Sequence, residues 1–259
     1  MFTSKPLSRQ RLWVFHLLRR TQRFHCPISN ISEIDVTESL ARVQALRDEG
    51  RSVGFTAFLA KATAMTIQAH PRLNRRIFHG LLGRREVSFD HITCAMVAER
   101  VLDSGELVVL PMKIRHIDQC SVEEIHERIR AVKRDPLDQV EGFQAIQKSR
   151  KVPRFLVPLL HFLYRSQPKL IDRDFSTYGV SSVVLPNAPV ISGTAPANQT
   201  TFFPFNLKER AEVVNGEIVP RMMLSVGLCV DHYLVDGMEL QRAALTLQRL
   251  LQDPDAVLA

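Results

Sequence analysis

An α/β (α+β) domain, a mixed β-sheet flanked by helices, is the fold class these 259 residues predict, and three observations carry that reading. Segments that alternate apolar and polar residues are interleaved with segments of helical period. Asn215-Gly216 stands between two apolar runs as a two-residue hairpin turn. No repeat, linker or low-complexity stretch divides the chain, so a single domain over 1–259 is expected.

The elements follow in order. "MFTSKPLSRQRLWVFHLLRRTQRFH" has an apolar patch bracketed by arginines, with neither a signal-peptide core nor a small-residue cleavage site; it predicts a basic amphipathic helix packed on the domain, with a membrane anchor as the alternative. "CPISNISEIDVT" alternates Ile28, Ile31, Ile34 and Val36 and predicts a strand. Thr37 is the expected cap of a helix that puts Leu40, Val43 and Leu46 on one face. "FTAFLAKATAMTIQAHP" predicts a buried helix stopped by Pro71. "REVSFDHITCAMVAER" and "GELVVLPMKIRHI" read as two strands joined around Asp103-Ser104-Gly105. Ser121 and Glu124 form a capping box opening a helix through about Val132. The apolar segment 152–164 reads as a core or interface helix, with a pocket lining as the alternative. "FSTYGVSSVVLP" reads as a strand, "NAPVISGTAPANQTTFFPFN" as loop and short strands, and "AEVVNGEIVPRMMLSVGLCVDH" as a hairpin. A last helix ends before Asp253-Pro254.

Composition narrows the function classes. A hydrophobic share of 45% and a charged share of 24% are those of a folded globular chain. The net charge of +7 favours anionic partners: nucleic acid, an anionic membrane surface or a phosphate-bearing ligand. Nucleic acid finds no support, because neither an arginine-rich run with interleaved aromatics nor a helix-turn-helix pattern is present. The four cysteines form no C-x-x-C pair, so no metal site is expected and reduced thiols in the cytoplasm are the default reading. No apolar run approaches the length of a membrane span.

The chemically loaded stretch is "LSVGLCVDHYLVDGMEL". An apolar strand runs into Asp231-His232, and Asp236-Gly237 follow where the chain must turn into a helix. Histidine suits proton removal near neutral pH. A carboxylate at the fourth position onward can hold neighbouring groups or pair with an arginine, and glycine permits a tight turn or a close backbone approach.

"DHYLVDG" resembles the H-x-x-x-D-G signature shared by chloramphenicol acetyltransferases and the catalytic domains of dihydrolipoamide acyltransferases, the core components of 2-oxoacid dehydrogenase complexes. "PLSRQRL", "SEIDVTESL", "VGFTAFLAKATAMTIQAHPRLN", "GELVVLPMKIRHIDQCSVEEI" and "NGEIVPRMMLSVGLCVDHYLVDGMELQRAALTLQRLLQDPD" resemble the latter family in order, over most of 6–259. The resemblance implies a chloramphenicol acetyltransferase-like, trimer-forming fold. It implies transfer of an acyl group from coenzyme A thioester to a thiol or hydroxyl, with acyl-CoA as substrate and neither metal nor covalent acyl-enzyme. It implies His232 as general base, Asp236 as organiser of the site through an arginine, and Ser181 as oxyanion donor, with Ser182 the neighbour if the register slips. It also implies a homotrimer with histidine and serine contributed by different subunits; "LLQDPDAVLA" resembles the segment through which such trimers build a larger cage.

Three departures set this chain apart from that family. Lipoyl and peripheral-subunit-binding domains are expected to be absent, so a lipoyl group would come from a separate carrier protein. Tyr233 stands where the dihydrolipoamide enzymes usually have arginine, and residues 141–178 replace a shorter glycine-rich segment with an apolar, aromatic-containing one. Arg11 is the candidate partner of Asp236. Two alternatives stay open: a chloramphenicol-type O-acetyltransferase, and a non-catalytic trimeric scaffold of a multi-enzyme complex.

Overall fold

The structure, a computed structural model, describes residue 4 and residues 9–81, 83–101, 105, 107–182, 184–186 and 199–259. Among the described residues the strands are β1 (Pro27–Asp35), β2 (Arg75–Gly80), β3 (Gly83–Ser88), β4 (Cys94–Val101), β5 (Leu107–Ile114), β6 (Tyr178–Val180), β7 (Leu185–Pro186), β8 (Thr201–Val214) and β9 (Glu217–Asp231). The α-helices are α1 (Arg9–Phe24), α2 (Thr37–Asp48), α3 (Phe55–Ala69), α4 (Val122–Arg134), α5 (Glu141–Lys151), α6 (Val157–Ser166), α7 (Pro168–Asp174), α8 (Gly237–Gln252) and α9 (Pro254–Leu258).

The main sheet is mixed, in the order β1-β9-β8-β6-β4-β5, with β7 also on β8; β2 and β3 form a separate two-stranded sheet. β8 and β9 make the long hairpin anticipated at Asn215-Gly216, whose φ values of 52° and 85° give both turn residues the left-handed backbone that the pair tolerates. One face of the sheet packs on helices α2, α3, α4, α8 and α9, and Ile34, Phe58, Ile67, Met96, Phe202, Leu228 and Leu247 meet there. The opposite face leaves Ile31, Val97, Val101 and Val109 exposed. α1 lies against α5 and α6, α5 meets β5, and α6 lies on β2.

Local signals are realised where they demand only local partners. The Ser121 side chain accepts from the Glu124 amide while the Glu124 carboxylate accepts from the Ser121 amide, so the expected capping box is present at α4. Elsewhere tertiary demands prevail. Thr37 is the first helical residue of α2 and Val36 is its N-cap; the Thr37 hydroxyl donates to Asp35 at 2.6 Å and accepts from the Met222 amide at 2.8 Å, tying the helix start to β9. The segment expected as one strand over 85–100 is two, β3 and β4, because β3 belongs to the small sheet. "FSTYGVSSVVLP" supplies only the short β6 and β7, and β8 begins ten residues earlier than the hairpin read from the sequence. Asp103 and Ser104 lie outside the described residues, while Gly105 has the φ of +78° that a turn glycine takes. Arg76, 1% exposed, reaches from β2 to the carbonyls of Ser176 and Thr177 and to Gln199, fixing the entry to β6.

Candidate active site

The sheet register decides which site residues meet. β9 ends at Asp231, opposite Pro27 at the start of β1. The turn from Asp231 to Asp236 then leads into α8, and the Leu234 and Val235 amides both donate to the Asp231 carbonyl. The Asp231 side chain is the hub of this turn. Its carboxylate accepts from the Cys26 and Tyr233 amides, each at 3.2 Å, and lies 2.8 Å from His25 Nδ1. Both members of the His25–Asp231 pair have almost fully buried side chains, 2% and 3% exposed. A buried carboxylate with three donors is satisfied on both oxygens, which makes this a stiff joint.

His232 is held at two points. Its amide donates to the Cys26 carbonyl at 2.7 Å, and its ring Nδ1 lies 3.0 Å from the Val235 carbonyl. A carbonyl oxygen can only accept, so Nδ1 carries the hydrogen and the lone pair of a neutral ring is on Nε2. That ring is exposed, as are Tyr233 and Asp236. Asp236 is the N-cap of α8 by position, but its side chain makes no capping bond, leaving the carboxylate available to other groups. Gly237 corrects an expectation. Its backbone is not left-handed and an added Cβ would meet nothing within 4 Å, so neither a tight turn nor a close approach within this chain requires it. Arg11, the expected partner of Asp236, is exposed on α1.

Ser181 follows β6 half-buried, its amide donating to Phe202 at 2.9 Å, with Ser182 in a similar setting. Val180 is level with Phe202 of β8, which is level with Leu228 of β9. Ser181 lies one residue past that level. His232 lies four residues past it in the opposite direction, because β9 runs antiparallel to β8 and β6. The two are therefore separated by on the order of 17 Å along the strands and by two strand spacings sideways. One chain does not bring the sequence-predicted histidine and serine together. His25 had no signal in the sequence, since it sits 206 residues from its partner. Asp231 had one, as the carboxylate preceding His232.

Burial pushes the Cys94 thiol up to about 12, whereas Cys26, beside the site, is exposed. A groove of about 520 Å³ lined by Lys113, Arg115, His116 and Arg128 lies at the β5 edge, four strands from β9. Among the described residues no cluster of three His, Cys, Asp or Glu could hold a metal ion, and no helix is long and apolar enough to cross a membrane.

Comparison with known proteins agrees with this architecture. Residues 205–259 match the family model of the 2-oxoacid dehydrogenases acyltransferase catalytic domain. A probable dihydrolipoyllysine-residue succinyltransferase component of the 2-oxoglutarate dehydrogenase complex from Schizosaccharomyces pombe is 25% identical over 97% of this chain and 50% of its own length. The chain thus spans about half the length of the curated relatives it matches. A probable dihydrolipoamide acetyltransferase from Listeria monocytogenes superposes with a TM-score of 0.68 at 16% identity, covering 98% of this chain and 95% of that one. A chloramphenicol acetyltransferase superposes at 0.52 and 14% identity, covering 95% and 96%. The fold is chloramphenicol acetyltransferase-like, and the resemblance read from the sequence to the dihydrolipoamide acyltransferase catalytic domain is borne out.

Proposed function

We propose that this chain is a catalytic domain over 1–259 that moves an acyl group between coenzyme A and a thiol or hydroxyl acceptor, working as a cytoplasmic homotrimer. The observation that carries the reading is the held His232 ring: a hydrogen bond fixes Nδ1 and leaves Nε2 exposed as a base at the end of a rigid strand. His232 Nε2 takes the acceptor proton, and the resulting sulfur or oxygen nucleophile forms a bond to the thioester carbonyl carbon. The tetrahedral oxyanion accepts from the Ser181 hydroxyl of a neighbouring subunit; one such donor lowers the barrier by about 3 kcal/mol. Collapse breaks the carbon–sulfur bond to coenzyme A, whose thiolate takes the proton back from His232. Asp236 organises the site, with Arg11 the candidate cation.

Two features support the shared site. Ser181 and His232 stand far apart within one chain, and the exposed apolar sheet face with Ile31, Val97 and Val109 suits burial between copies. The curated relatives are named succinyltransferases, so succinyl-CoA is the first thioester to try, with dihydrolipoamide standing in for a separate lipoyl-carrier protein. The test is coenzyme A release from acetyl- and succinyl-CoA by wild type and His232→Ala. The substitution is expected to cut turnover at least about a hundredfold with the fold intact. Turnover independent of His232 overturns the mechanism, and no turnover with any thioester favours the scaffold reading.

A further inference from the structure

The net charge of +7 is not spread over the molecule. Residues 1–32 and 142–171 together hold twelve of the 34 lysines and arginines and none of the 27 aspartates and glutamates. The rest of the chain, with 22 cations against 27 anions, is net −5. The fold brings much of these two stretches together, because α1 packs on α5 and α6. His16 and His161 rings lie 5.7 Å apart across that contact, and the Arg165 guanidinium sits 4.8 Å from both the Phe24 and Phe162 rings.

The outward side of this layer is not the polar face that a helix packed on a domain normally turns to water. On α1 the exposed positions include Val14, Phe15, Leu18, Arg19, Gln22 and Arg23, a stripe at helical spacing. Phe15 and Leu18 are each 45% exposed. Phe155, just before α6, and Leu159, in its first turn, stand 79% and 52% exposed, with Lys151 also exposed nearby. Large apolar side chains bordered by cations, with no acidic residue in either stretch, match an interface where rings enter the acyl boundary and guanidinium groups stay level with phosphates. A second copy meeting this face two-fold would set cation against cation.

We propose that the α1–α5–α6 layer is a docking surface for an anionic phospholipid bilayer, holding the protein peripherally. Phe15, Leu18, Arg19 and Arg23 of this surface take no part in the acyl transfer proposed above. The test is co-sedimentation of the full chain with phosphatidylcholine vesicles and with phosphatidylcholine–phosphatidylglycerol vesicles, at low and high salt. Binding to the anionic vesicles alone, released by salt, is expected. Arg19→Gln and Arg23→Gln should each weaken partitioning about fivefold, and Phe15→Ser with Leu18→Ser should weaken it further, with unchanged circular dichroism and sedimentation velocity. Equal sedimentation with both vesicle types, absence of binding at low salt, or binding indifferent to these substitutions overturns the proposal. A change of oligomeric state in the Phe15→Ser/Leu18→Ser protein also overturns it, since the face would then be a contact between copies.

Discussion

The β8–β9–α8 limb and the α1–α5–α6 layer solve opposite problems with similar materials. In the limb, polar groups are tied to fixed partners: Asp231 has three donors, His232 two anchors, and Ser39 of α2 reaches the Leu251 carbonyl of α8 at 2.6 Å. In the layer, apolar groups are exposed and the cations around them face outward. The limb confines a histidine to one orientation. The contacts of the layer include the Arg165 guanidinium against the Phe24 and Phe162 rings and the seating of α5 on β5. The difference teaches that rigidity is concentrated where chemistry is proposed. The family-model match, which covers 205–259, falls on that rigid part as well.

The sharpest way to break the comparison is Asp231→Ala. It strands His25 Nδ1 in a buried site and removes the acceptor of the Cys26 and Tyr233 amides, so a loss of about 3 kcal/mol is expected in urea unfolding. Because the same joint carries His232, kcat should fall together with stability. In the layer, Gly142→Ala would put a Cβ 1.8 Å from the Pro111 carbonyl oxygen, forcing the start of α5 off β5. A loss of about 1–3 kcal/mol is expected there, with kcat in the folded protein unchanged; a matching fall in kcat would show that the layer and the limb are coupled.

The smallest effect is a pH dependence. Burial, helped by Arg249 and Arg242 and opposed by Glu239, holds His70 below its ordinary value, and its Nε2 bonds Thr246 of α8 at 2.9 Å. The unfolded chain therefore takes up this proton first. The stabilisation is complete above the ordinary imidazole range and is lost as pH falls through it. His126, lowered mainly by burial, acts in the same direction. Melting temperature should decline on acidification from neutral pH, and His70→Gln should flatten part of that slope by well under about 1 kcal/mol, since the ring is partly solvated.

How much of this was legible depended on the range of the interaction. Ser121 with Glu124, and Asn215 with Gly216, act on residues within one turn, and their patterns carried through unchanged. His232 and Asp236 were found from the strand-to-helix transition itself. Thr37 misled because its hydroxyl serves β9, a partner 185 residues away. His25 was invisible for the same reason, and β3 separated from β4 only because a second sheet recruits it. The level at which Ser181 stands relative to His232 is a property of three paired strands, which no local spacing encodes.

That separation along the sheet has a consequence for mixtures. If each working centre draws its histidine and its serine from different chains, a His232→Ala protein and a Ser181→Ala protein are each defective at every centre. Unfolded together and refolded, they would assemble hybrids in which some centres inherit the intact residue from each parent. Activity absent from either preparation would then return on mixing, and it would not return if the two were refolded apart and combined afterwards.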